Sequence, residues 1–541
     1  MLKVNLKHNK GFKWFTAGSV WVKGYLFDEG GRLYSEQNLT EYFASVTDEL
    51  SFRQRIAEAN GSFAVVIDKP ELGLAAVDRL RSIPLFYSSS PKGLWISDDV
   101  HWLRDQTDDS VLTELSKAEF MRTGYVLGAD TLLPSVKQLQ AGEYISFKAD
   151  TLRSNFYYRH LHGAPLELSE EAHFERLEAL SNKVFERLIC SAEGRSLVIP
   201  LSGGYDSRYI AVMLKRLGYD KVICYTYGRQ ESSEVDISRQ VAEALGYPWH
   251  FVEYTPQLWE KHATSKHLHA YYTYAHNFAS LPHVQDYPAL VALMKQNVFP
   301  ENAVIVPGFC GDLLGGSYVP AELSVSGGEQ SLLSEGIEHY IYRRHFNLKN
   351  DIPAATLTPI KEHILQTLAN SEPQTIAEFV SLNEAWFTEH KVAKFIVNAL
   401  RPYEFFGYSW RMPLWDNELS EYWYQVPLSE KGKNGLYDRY LLERVFAPYH
   451  VAFPKYQPSL KAGFISELKK RLPQSWRSPL QNLYWRSIRK KPGRDINATT
   501  ELADFFYKEL ELAGKSARVS NVLAQPFTLW LLQQLEASLA E

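Results

Sequence analysis

Residues 197–207 contain the side chains and backbone that are best placed for chemistry. The stretch begins with apolar, partly β-branched residues, which predict a buried strand. Ser202, Gly203 and Gly204 follow, where a tight turn presents backbone N–H groups to an anion. Apolar residues then recur at helical spacing after Ser207. Because a helix N-terminus also favours negative charge, the stretch predicts a phosphate-binding loop.

The residues of this loop exclude two common types of phosphate-binding site. It lacks the Gly-Lys-Ser/Thr ending of a Walker loop and the G-x-G-x-x-G of a dinucleotide site. The run Ser-Gly-Gly-x-Asp-Ser resembles instead the pyrophosphate loop of the ATP-pyrophosphatase (PP-loop) enzymes. Those enzymes cleave ATP between its α and β phosphates and activate a substrate as an adenylate. The resemblance implies nucleotide contacts from Leu201, Ser202, Gly203, Gly204, Asp206 and Ser207; the alternative is an ordinary turn between strand and helix.

A second glycine-rich stretch, residues 308–316, contains Asp312. It follows apolar residues 304–306, which predict another strand. In an open parallel sheet ligands collect at the carboxyl ends of the strands, so we expect Asp206 and Asp312 to face one pocket. Two carboxylates beside phosphates suit Mg²⁺, which prefers hard oxygen ligands. A structural Gly-Asp turn explains the second stretch equally well when it is taken alone, and its pairing with the first loop favours the metal site.

The elements around these loops fall into two patterns. The first 150 residues are predicted to form short strands at 62–67, Leu72–Val77, 83–87, 94–97 and 144–147. From residue 172 strands and helices alternate, which predicts a parallel sheet, and the chain beyond about residue 330 is mostly helical in pattern. We therefore predict an α/β protein with a β-rich sandwich domain over 1–150, a linker over 151–171 and a parallel-sheet domain with many helices over 172–541.

Composition limits the class of protein further. The chain has 541 residues and a formal net charge of −5, so no broad basic surface indicates nucleic-acid binding. No stretch approaches eighteen uninterrupted apolar residues and the N-terminus lacks the apolar segment of a signal peptide, which predicts a cytoplasmic protein without a membrane span. Three scattered cysteines, Cys190, Cys224 and Cys310, indicate a reducing compartment and are expected in the core.

The chain resembles the glutamine-dependent asparagine synthetases and their relatives, the β-lactam synthetases and lasso-peptide cyclases. The loop at 202–207 matches their pyrophosphate loop, and residues 308–318 match their second loop, with Asp312 on the second Mg²⁺-binding aspartate. Less specific matches occur at 60–64, 78–87 and 411–416, in the same order along the chain as in the family. The resemblance implies a glutaminase-like (Ntn-hydrolase-like) N-terminal domain and a PP-loop (adenine nucleotide α-hydrolase-like) C-terminal domain, with ATP and Mg²⁺ as cofactors and Asp206 and Asp312 as metal ligands.

Two positions depart from the family pattern. The family's glutaminase needs a cysteine as the first residue after Met removal, whereas Leu2 stands here and Cys190 is the first cysteine. A glutaminase without its nucleophile cannot form the covalent intermediate, so we expect a degenerate domain. Phe309 stands where asparagine synthetases carry a functional Glu and β-lactam synthetases a Tyr. A phenyl ring accepts no proton, so the attacking amine must be deprotonated elsewhere or arrive neutral.

The resemblance also implies further site residues. The family stabilises charge with a lysine in its C-terminal region, and Lys455 matches that position loosely, with Lys461 as the alternative. In the family, the segment at the end of the second strand contacts adenine through its backbone. The resemblance therefore implies that Tyr227 and Gly228 lie at the nucleotide. Gly308 and Gly311 of the second loop complete the expected nucleotide contacts.

The predicted function is an ATP-dependent amide ligase that adenylates a carboxylate and transfers ammonia or an amine to it. Aspartate is the family's default acceptor; a surface-polysaccharide sugar acid, a peptide or a small metabolite closed on its own amine are alternatives. Three rivals stay open: a tRNA-modifying PP-loop enzyme, a glutamine-fed asparagine synthetase and a non-catalytic homologue. The partners expected are the carboxylate substrate and an amine donor, with a homodimer or an ammonia-supplying protein as the assembly.

Overall fold

The computed structural model describes residues 2–90, 93–309, 311–432, 435–454, 495–515 and 522–540. Lys455 and Lys461 lie outside these residues. Within them, the chain forms a β-rich N-terminal region and a C-terminal region with a parallel sheet and many helices. This confirms the predicted α/β fold. No helix in the described ranges combines the length and apolar character that a membrane crossing needs.

Eleven described strands build the N-terminal region as two sheets. One sheet has the order β1-β8-β7-β9, and the other has the order β11-β10-β6-β5-β3-β2 with β4 paired to β3. The strands are β1 Leu2–Asn5, β2 Trp14–Ala17, β3 Val20–Phe27, β4 Leu33–Ser35, β5 Asn60–Lys69, β6 Leu72–Val77, β7 Phe86–Ser90, β8 Gly93–Ser97, β9 Lys137–Gln138, β10 Glu143–Lys148 and β11 Thr151–Phe156.

The end of the N-terminal sheet differs from the predicted boundary at residue 150. Strand β11 pairs antiparallel with β10 from Thr151↔Lys148 to Phe156↔Glu143. The hairpin therefore carries the sheet into the predicted linker. Most β11 side chains are exposed, so the polar sequence that suggested a linker belongs to an edge strand. The wider division of the chain into domains stays a prediction.

The C-terminal sheet is parallel and has the order β14-β13-β12-β15-β16. Its strands are β12 Leu197–Pro200, β13 Val222–Gly228, β14 Trp249–Glu253, β15 Val304–Ile305 and β16 Ser409–Trp410. Strands β13 and β14, which follow β12 in sequence, lie on one side of it. The next strands, β15 and β16, lie on its other side. The order of the sheet thus reverses between β12 and β15, which is where ligands bind in open α/β sheets.

Helices cover the sheets and form most of the remaining C-terminal region. Those before the parallel sheet are α1 Asn38–Ala44, α2 Glu49–Glu58, α3 Val100–Arg104, α4 Glu114–Thr123 and α5 Glu170–Ala192. Those that connect its strands and cover it are α6 Tyr205–Arg216, α7 Ser233–Leu245, α8 Pro256–Ala263, α9 Lys266–His276, α10 Tyr287–Lys295 and α11 Gly311–Leu314. Later helices are α12 Gly328–Glu335, α13 Ile337–His345, α14 Leu357–Thr367, α15 Ile376–Trp386, α16 Arg401–Phe405, α17 Asn417–Trp423, α18 Leu436–Tyr440, α19 Thr500–Leu512 and α20 Ala524–Ala540.

The largest hydrophobic core runs through both regions. It contains β5 and β6 residues of the N-terminal region together with β12, α6 and β15 of the parallel sheet. Helix α6 is buried along almost its whole length, because it lies between the sheet and the C-terminal helices. Cys224 is buried as expected, but Cys190 is exposed, because it lies on the solvent face of α5. The prediction of a core position was therefore wrong for Cys190.

Candidate active site

The phosphate loop joins the end of β12 to the start of α6. The Leu201 N–H group donates to the Tyr225 carbonyl of β13 at 2.8 Å, which holds the start of the loop in line with the sheet. The Ser202 N–H group donates to Ser207 Oγ at 3.1 Å, and Ser202 Oγ accepts from the Gly204 N–H group at 3.2 Å. These bonds close the loop on itself and place it at the N-terminus of a helix, as the sequence predicted.

The second glycine loop packs directly on the first. A Cβ atom at Gly308 would lie 2.5 Å from the Ser207 nitrogen and 2.9 Å from its Cα atom. These are backbone atoms of α6 and cannot move aside, so only glycine allows this approach. The sequence therefore places a glycine where the loop after β15 meets the phosphate loop after β12.

Asp206 lies at the contact between the two loops. It belongs to the first turn of α6, and its Oδ1 atom accepts a hydrogen bond of 2.8 Å from the Tyr437 hydroxyl. A Cβ atom at Gly311 would lie 3.0 Å from the same Oδ1 atom. Asp312 follows Gly311 as the second residue of α11. The fold thus brings Asp206 and the backbone of the second loop together. That the two carboxylates face one pocket stays a prediction, because the Asp312 side chain lies outside the described part of the structure.

Tyr227 and Gly228 lie at the carboxyl end of β13, next to the phosphate loop's own strand. The Tyr227 hydroxyl donates to Asp286 Oδ2 at 3.1 Å, so its side chain is engaged inside the protein. Burial raises the pKa of Asp286. Beyond Gly228, the Arg229 N–H group donates to the Ile496 carbonyl at 2.7 Å. A backbone contact to a nucleotide at these two positions stays a prediction.

Phe309 belongs to the second glycine loop and is partly buried against the main core. Its ring offers neither a proton acceptor nor a conventional donor at the position that the sequence comparison singled out. The structure adds two polar side chains that sequence reasoning missed. They are Tyr437, which contacts Asp206, and Arg208, which donates to the Gly203 carbonyl at 3.0 Å.

A cavity of about 50 Å³ lies between the two regions. Asn60 and Asp78 line it from the N-terminal side, and Arg187 and Asp416 line it from the C-terminal side. The Asn60 amide donates to Asp416 Oδ2 at 2.9 Å, and Arg187 pairs with the same carboxylate at 2.9 Å. Small-molecule pockets typically measure about 300–1,000 Å³, so this cavity has room only for a few water molecules.

The Asp78 carboxylate accepts hydrogen bonds from several groups of the N-terminal region. It accepts from the Leu80 N–H group at 2.9 Å and from the Ser82 N–H group and hydroxyl. It also accepts from the Phe63 N–H group at 3.2 Å. Burial raises the pKa of this carboxyl, and the four donor groups oppose the rise. Asp78 therefore works as a structural acceptor that fixes the turn after β6.

A parallel α/β sheet with glycine loops at its reversal point defines the class of this protein. The sequence matches the asparagine synthase family over residues 178–470, which is more than half of the chain. The chain therefore belongs to the asparagine synthase family, a family of ATP-dependent amide ligases. No curated protein matches this chain.

Two solved structures show weak similarity to the chain. Glutamine phosphoribosylpyrophosphate amidotransferase from B. subtilis, complexed with ADP and GMP, is 10% identical, with 55% of this chain and 63% of that chain covered and a TM-score of 0.19. The structure of the allosteric regulatory enzyme of purine biosynthesis is 12% identical, with 56% and 57% covered and a TM-score of 0.19. This chain thus spans less than two thirds of either protein, and similarity at this level carries no functional argument.

Proposed function

We propose that this protein is an ATP- and Mg²⁺-dependent ligase that adenylates a carboxylate and transfers ammonia or an amine to it. The observation that carries the proposal is the contact of the two glycine loops at the point where the sheet order reverses. There Gly308 packs on Ser207 and Gly311 packs beside Asp206. The family to which the chain belongs supports the amide-ligase class.

The phosphate loop is suited to the pyrophosphate part of ATP. Its backbone N–H groups lie at the N-terminus of α6, and Ser202 and Ser207 add hydroxyl groups that lie 3.2 Å apart. Asp206 supplies a hard oxygen ligand at the same place, and Asp312 is the second ligand in the proposal. A Mg²⁺ ion held by these carboxylates would supply positive charge against the departing pyrophosphate. Only glycines permit the close approach of the two loops, and this approach brings Asp206 to the loop that would bind the pyrophosphate with its Mg²⁺ ion.

The proposed reaction has two steps. In the first, a substrate carboxylate oxygen bonds to the α-phosphorus of ATP and the bond to the β-phosphate oxygen breaks, which releases pyrophosphate. In the second, the amine nitrogen bonds to the acyl carbon, the bond from that carbon to the oxygen shared with AMP breaks, and AMP leaves with the carboxyl oxygen while the nitrogen releases one proton to solvent. Lys455 is proposed to stabilise the negative charge that develops. Because Phe309 cannot take a proton, the nitrogen nucleophile is proposed to react as the neutral amine.

The N-terminal region is proposed to supply no nitrogen from glutamine. The cavity beside Asn60 and Asp78 is too small for such a substrate, and no cysteine is present among its described lining residues. Leu2 lines a different groove, beside Gly73 and Phe147. The polar groups at the cavity bind one another across the two regions, so they act as structural contacts. Free ammonia or a substrate amine is the proposed donor.

A pyrophosphate-release assay tests this function. The protein is incubated with Mg·ATP and a panel of carboxylates, including aspartate, sugar acids and amino-terminated peptides, with either ammonium or glutamine as the nitrogen source. We expect release of pyrophosphate and AMP with at least one carboxylate, and amide formation with ammonium or an internal amine but not with glutamine. Amide formation with glutamine as the donor would contradict the proposal for the N-terminal region.

A further inference from the structure

Arg208 is a buried cation directly behind the phosphate loop. It follows Ser207 in the first turns of α6, and its side chain is among the largest fully buried ones of the described residues. An arginine so completely buried usually has a carboxylate partner or a bound anion. The contacts of Arg208 therefore show what balances its charge.

The guanidinium is held by backbone carbonyls. It donates to the Gly203 carbonyl at 3.0 Å, to the Val451 carbonyl at 2.9 Å and to the Phe453 carbonyl at 2.6 Å. Its central carbon lies 5.2 Å from the centre of the Phe446 ring. These groups fix the plane of the guanidinium but carry no negative charge that could neutralise it.

Within the described part of the chain, Arg208 pairs with no carboxylate and its Nε atom has no hydrogen-bond partner. A guanidinium stays protonated in proteins, so this side chain carries a full positive charge at neutral pH. A buried and uncompensated charge is costly to a folded protein unless a ligand brings the opposite charge.

We propose that Arg208 is a positioning residue that supplies the positive charge balanced by the polyphosphate of the bound nucleotide. The inference rests on the proposed function, because it takes pyrophosphate or ATP as the ligand of the Ser202–Ser207 loop. The guanidinium does not need to touch the phosphates. It polarises the peptide between Gly203 and Gly204, whose N–H group belongs to the loop, and this strengthens that group as a donor.

The same side chain links the loop to the segment that precedes Lys455. Phe453, whose carbonyl accepts from Arg208, stands two residues before Lys455 in the sequence. One guanidinium thus holds both the glycine loop and the chain that leads to the proposed charge-stabilising lysine. Sequence reasoning missed this role, because an arginine in an amphipathic helix is ordinarily assigned to the solvent face.

Binding measurements on the full chain test the inference. Isothermal titration calorimetry with Mg²⁺-pyrophosphate, Mg·ATP and adenosine compares the natural protein with Arg208→Gln, Arg208→Met and Arg208→Lys. We expect the two neutral variants to bind pyrophosphate and ATP about tenfold more weakly, because a buried charge-assisted interaction is lost. Arg208→Lys, which keeps the charge, is expected to stay within about threefold of the natural protein. Adenosine, which has no phosphate, is expected to bind all four proteins equally.

Arg411→Met is the matched control. Arg411 is equally buried, and its guanidinium also donates to neutral groups, namely the Ser191 hydroxyl and the Ser191 and Trp410 carbonyls, each at 2.9 Å. Its loss is expected to leave pyrophosphate affinity unchanged. If Arg208→Met fails to fold, Arg208→Gln carries the test, because its amide still donates to a carbonyl.

The outcomes separate this inference from the proposed function. Equal pyrophosphate affinity in the natural protein and in folded Arg208→Gln would overturn the role of Arg208 alone. A parallel loss of adenosine affinity would assign Arg208 a purely structural role and also overturn it. Failure of the natural protein to bind either pyrophosphate or Mg·ATP would instead overturn the proposed function on which the inference rests.

Discussion

Two buried polar side chains, Asp78 of the N-terminal region and Arg208 of the C-terminal region, differ in what balances them. In the N-terminal region, Asp78 accepts hydrogen bonds from neighbouring N–H and hydroxyl groups, and Asn60 binds Asp416 across the interface. In the C-terminal region, Arg208 carries a buried charge that no described carboxylate balances. A polar group whose partners are all within the protein stabilises the fold. We propose that Arg208 takes its counter-charge from a bound ligand because it contacts the phosphate loop through the Gly203 carbonyl, whereas the equally buried Arg411 bonds to Ser191 and Trp410 instead.

This difference separates contacts that support the fold from groups placed at the proposed nucleotide site. In the N-terminal region, the cavity of about 50 Å³ beside Asn60 and Asp78 is bordered by polar groups that bond across to the C-terminal region. The C-terminal region keeps the two glycine loops in contact at the reversal point of the sheet. The comparison therefore predicts that mutations of similar chemistry will damage stability in one region and function in the other.

The sharpest test of this contrast pairs Asp206→Asn with Asp78→Asn. Asp206→Asn is expected to lower pyrophosphate release by about a hundredfold or more, because a metal-ligand charge is worth several kcal/mol in the transition state. Asp78→Asn is expected to lower the free energy of unfolding by about 3 kcal/mol. The asparagine amide has one acceptor oxygen, whereas the donors around Asp78 bond to both oxygens of its carboxylate. Rates are measured per folded molecule, and unfolding is followed in urea.

Asp236→Asn is the control for the first substitution. Asp236 also lies in the first turn of a helix that follows a strand of the parallel sheet, but it is exposed. It should change neither rate nor stability by a measurable amount. The contrast between the regions fails if Asp78→Asn, once folded, loses pyrophosphate release as strongly as Asp206→Asn.

Tyr437→Phe tests whether the hydrogen bond from Tyr437 to Asp206 supports the proposed Mg²⁺ site. The substitution removes the hydroxyl that donates to Asp206 at 2.8 Å and leaves the ring in place. We expect about a tenfold increase in the Mg²⁺ concentration needed for half-maximal pyrophosphate release, which is typical of losing a group that orients a metal ligand. The unfolding free energy should change by about 1 kcal/mol at most.

Tyr440→Phe in the same helix provides the comparison for this variant. The Tyr440 hydroxyl lies 3.0 Å from Ser181 Oγ, inside the core, rather than at Asp206. It is expected to lower stability slightly without changing the Mg²⁺ requirement. Equal Mg²⁺ curves for Tyr437→Phe and the natural protein would remove Tyr437 from the site.

A further test concerns the contact between the regions at His160, which affects stability and only at acidic pH. Its Nε2 atom lies 2.7 Å from the Arg79 carbonyl, so Nε2 carries the proton and Nδ1 accepts from the Tyr424 hydroxyl at 3.0 Å. Burial lowers the pKa of His160 to about 3, against 6.5 for an exposed histidine. Between these pH values the unfolded chain binds a proton that the folded protein does not, so stability falls as pH falls below 6.5.

His160→Gln removes this proton uptake but keeps a donor and an acceptor. Relative to the variant, the natural protein should lose about 1.4 kcal/mol of unfolding free energy per pH unit below 6.5. Urea unfolding at pH 6.5, 5.5 and 4.5 measures the difference. Parallel stability curves for the two proteins would show that His160 is protonated in the folded state.

The local parts of this structure were predictable from sequence, and the long-range parts were not. The strand, glycine loop and helix around Ser202 are set by neighbouring residues, so pattern and turn chemistry identify them. Strand β3 was missed, because Lys23 and Gly24 interrupt its apolar pattern. Lys23 is nevertheless buried and donates to the His8 carbonyl at 2.8 Å, a contact that only the folded chain reveals.

The missed site residues have the same explanation. Tyr437 stands 231 positions from Asp206 in sequence, so no local pattern connects them. Arg208 looks like a surface residue until the helix around it is seen to be buried on almost every side. The order of the parallel sheet also depends on contacts between distant strands. The resemblance at the two glycine loops pointed to the site, but it could not show which side chains support it.

Identification of the nucleotide products tests the central claim most directly. The protein is incubated with Mg·ATP, ammonium and the panel of carboxylates, and the products are identified by ³¹P NMR, with Asp206→Asn as the control. Our account predicts AMP and pyrophosphate in equal amounts, dependent on the carboxylate and absent in the variant. Formation of ADP and inorganic phosphate, or equal turnover by Asp206→Asn, would contradict cleavage between the α and β phosphates at this loop.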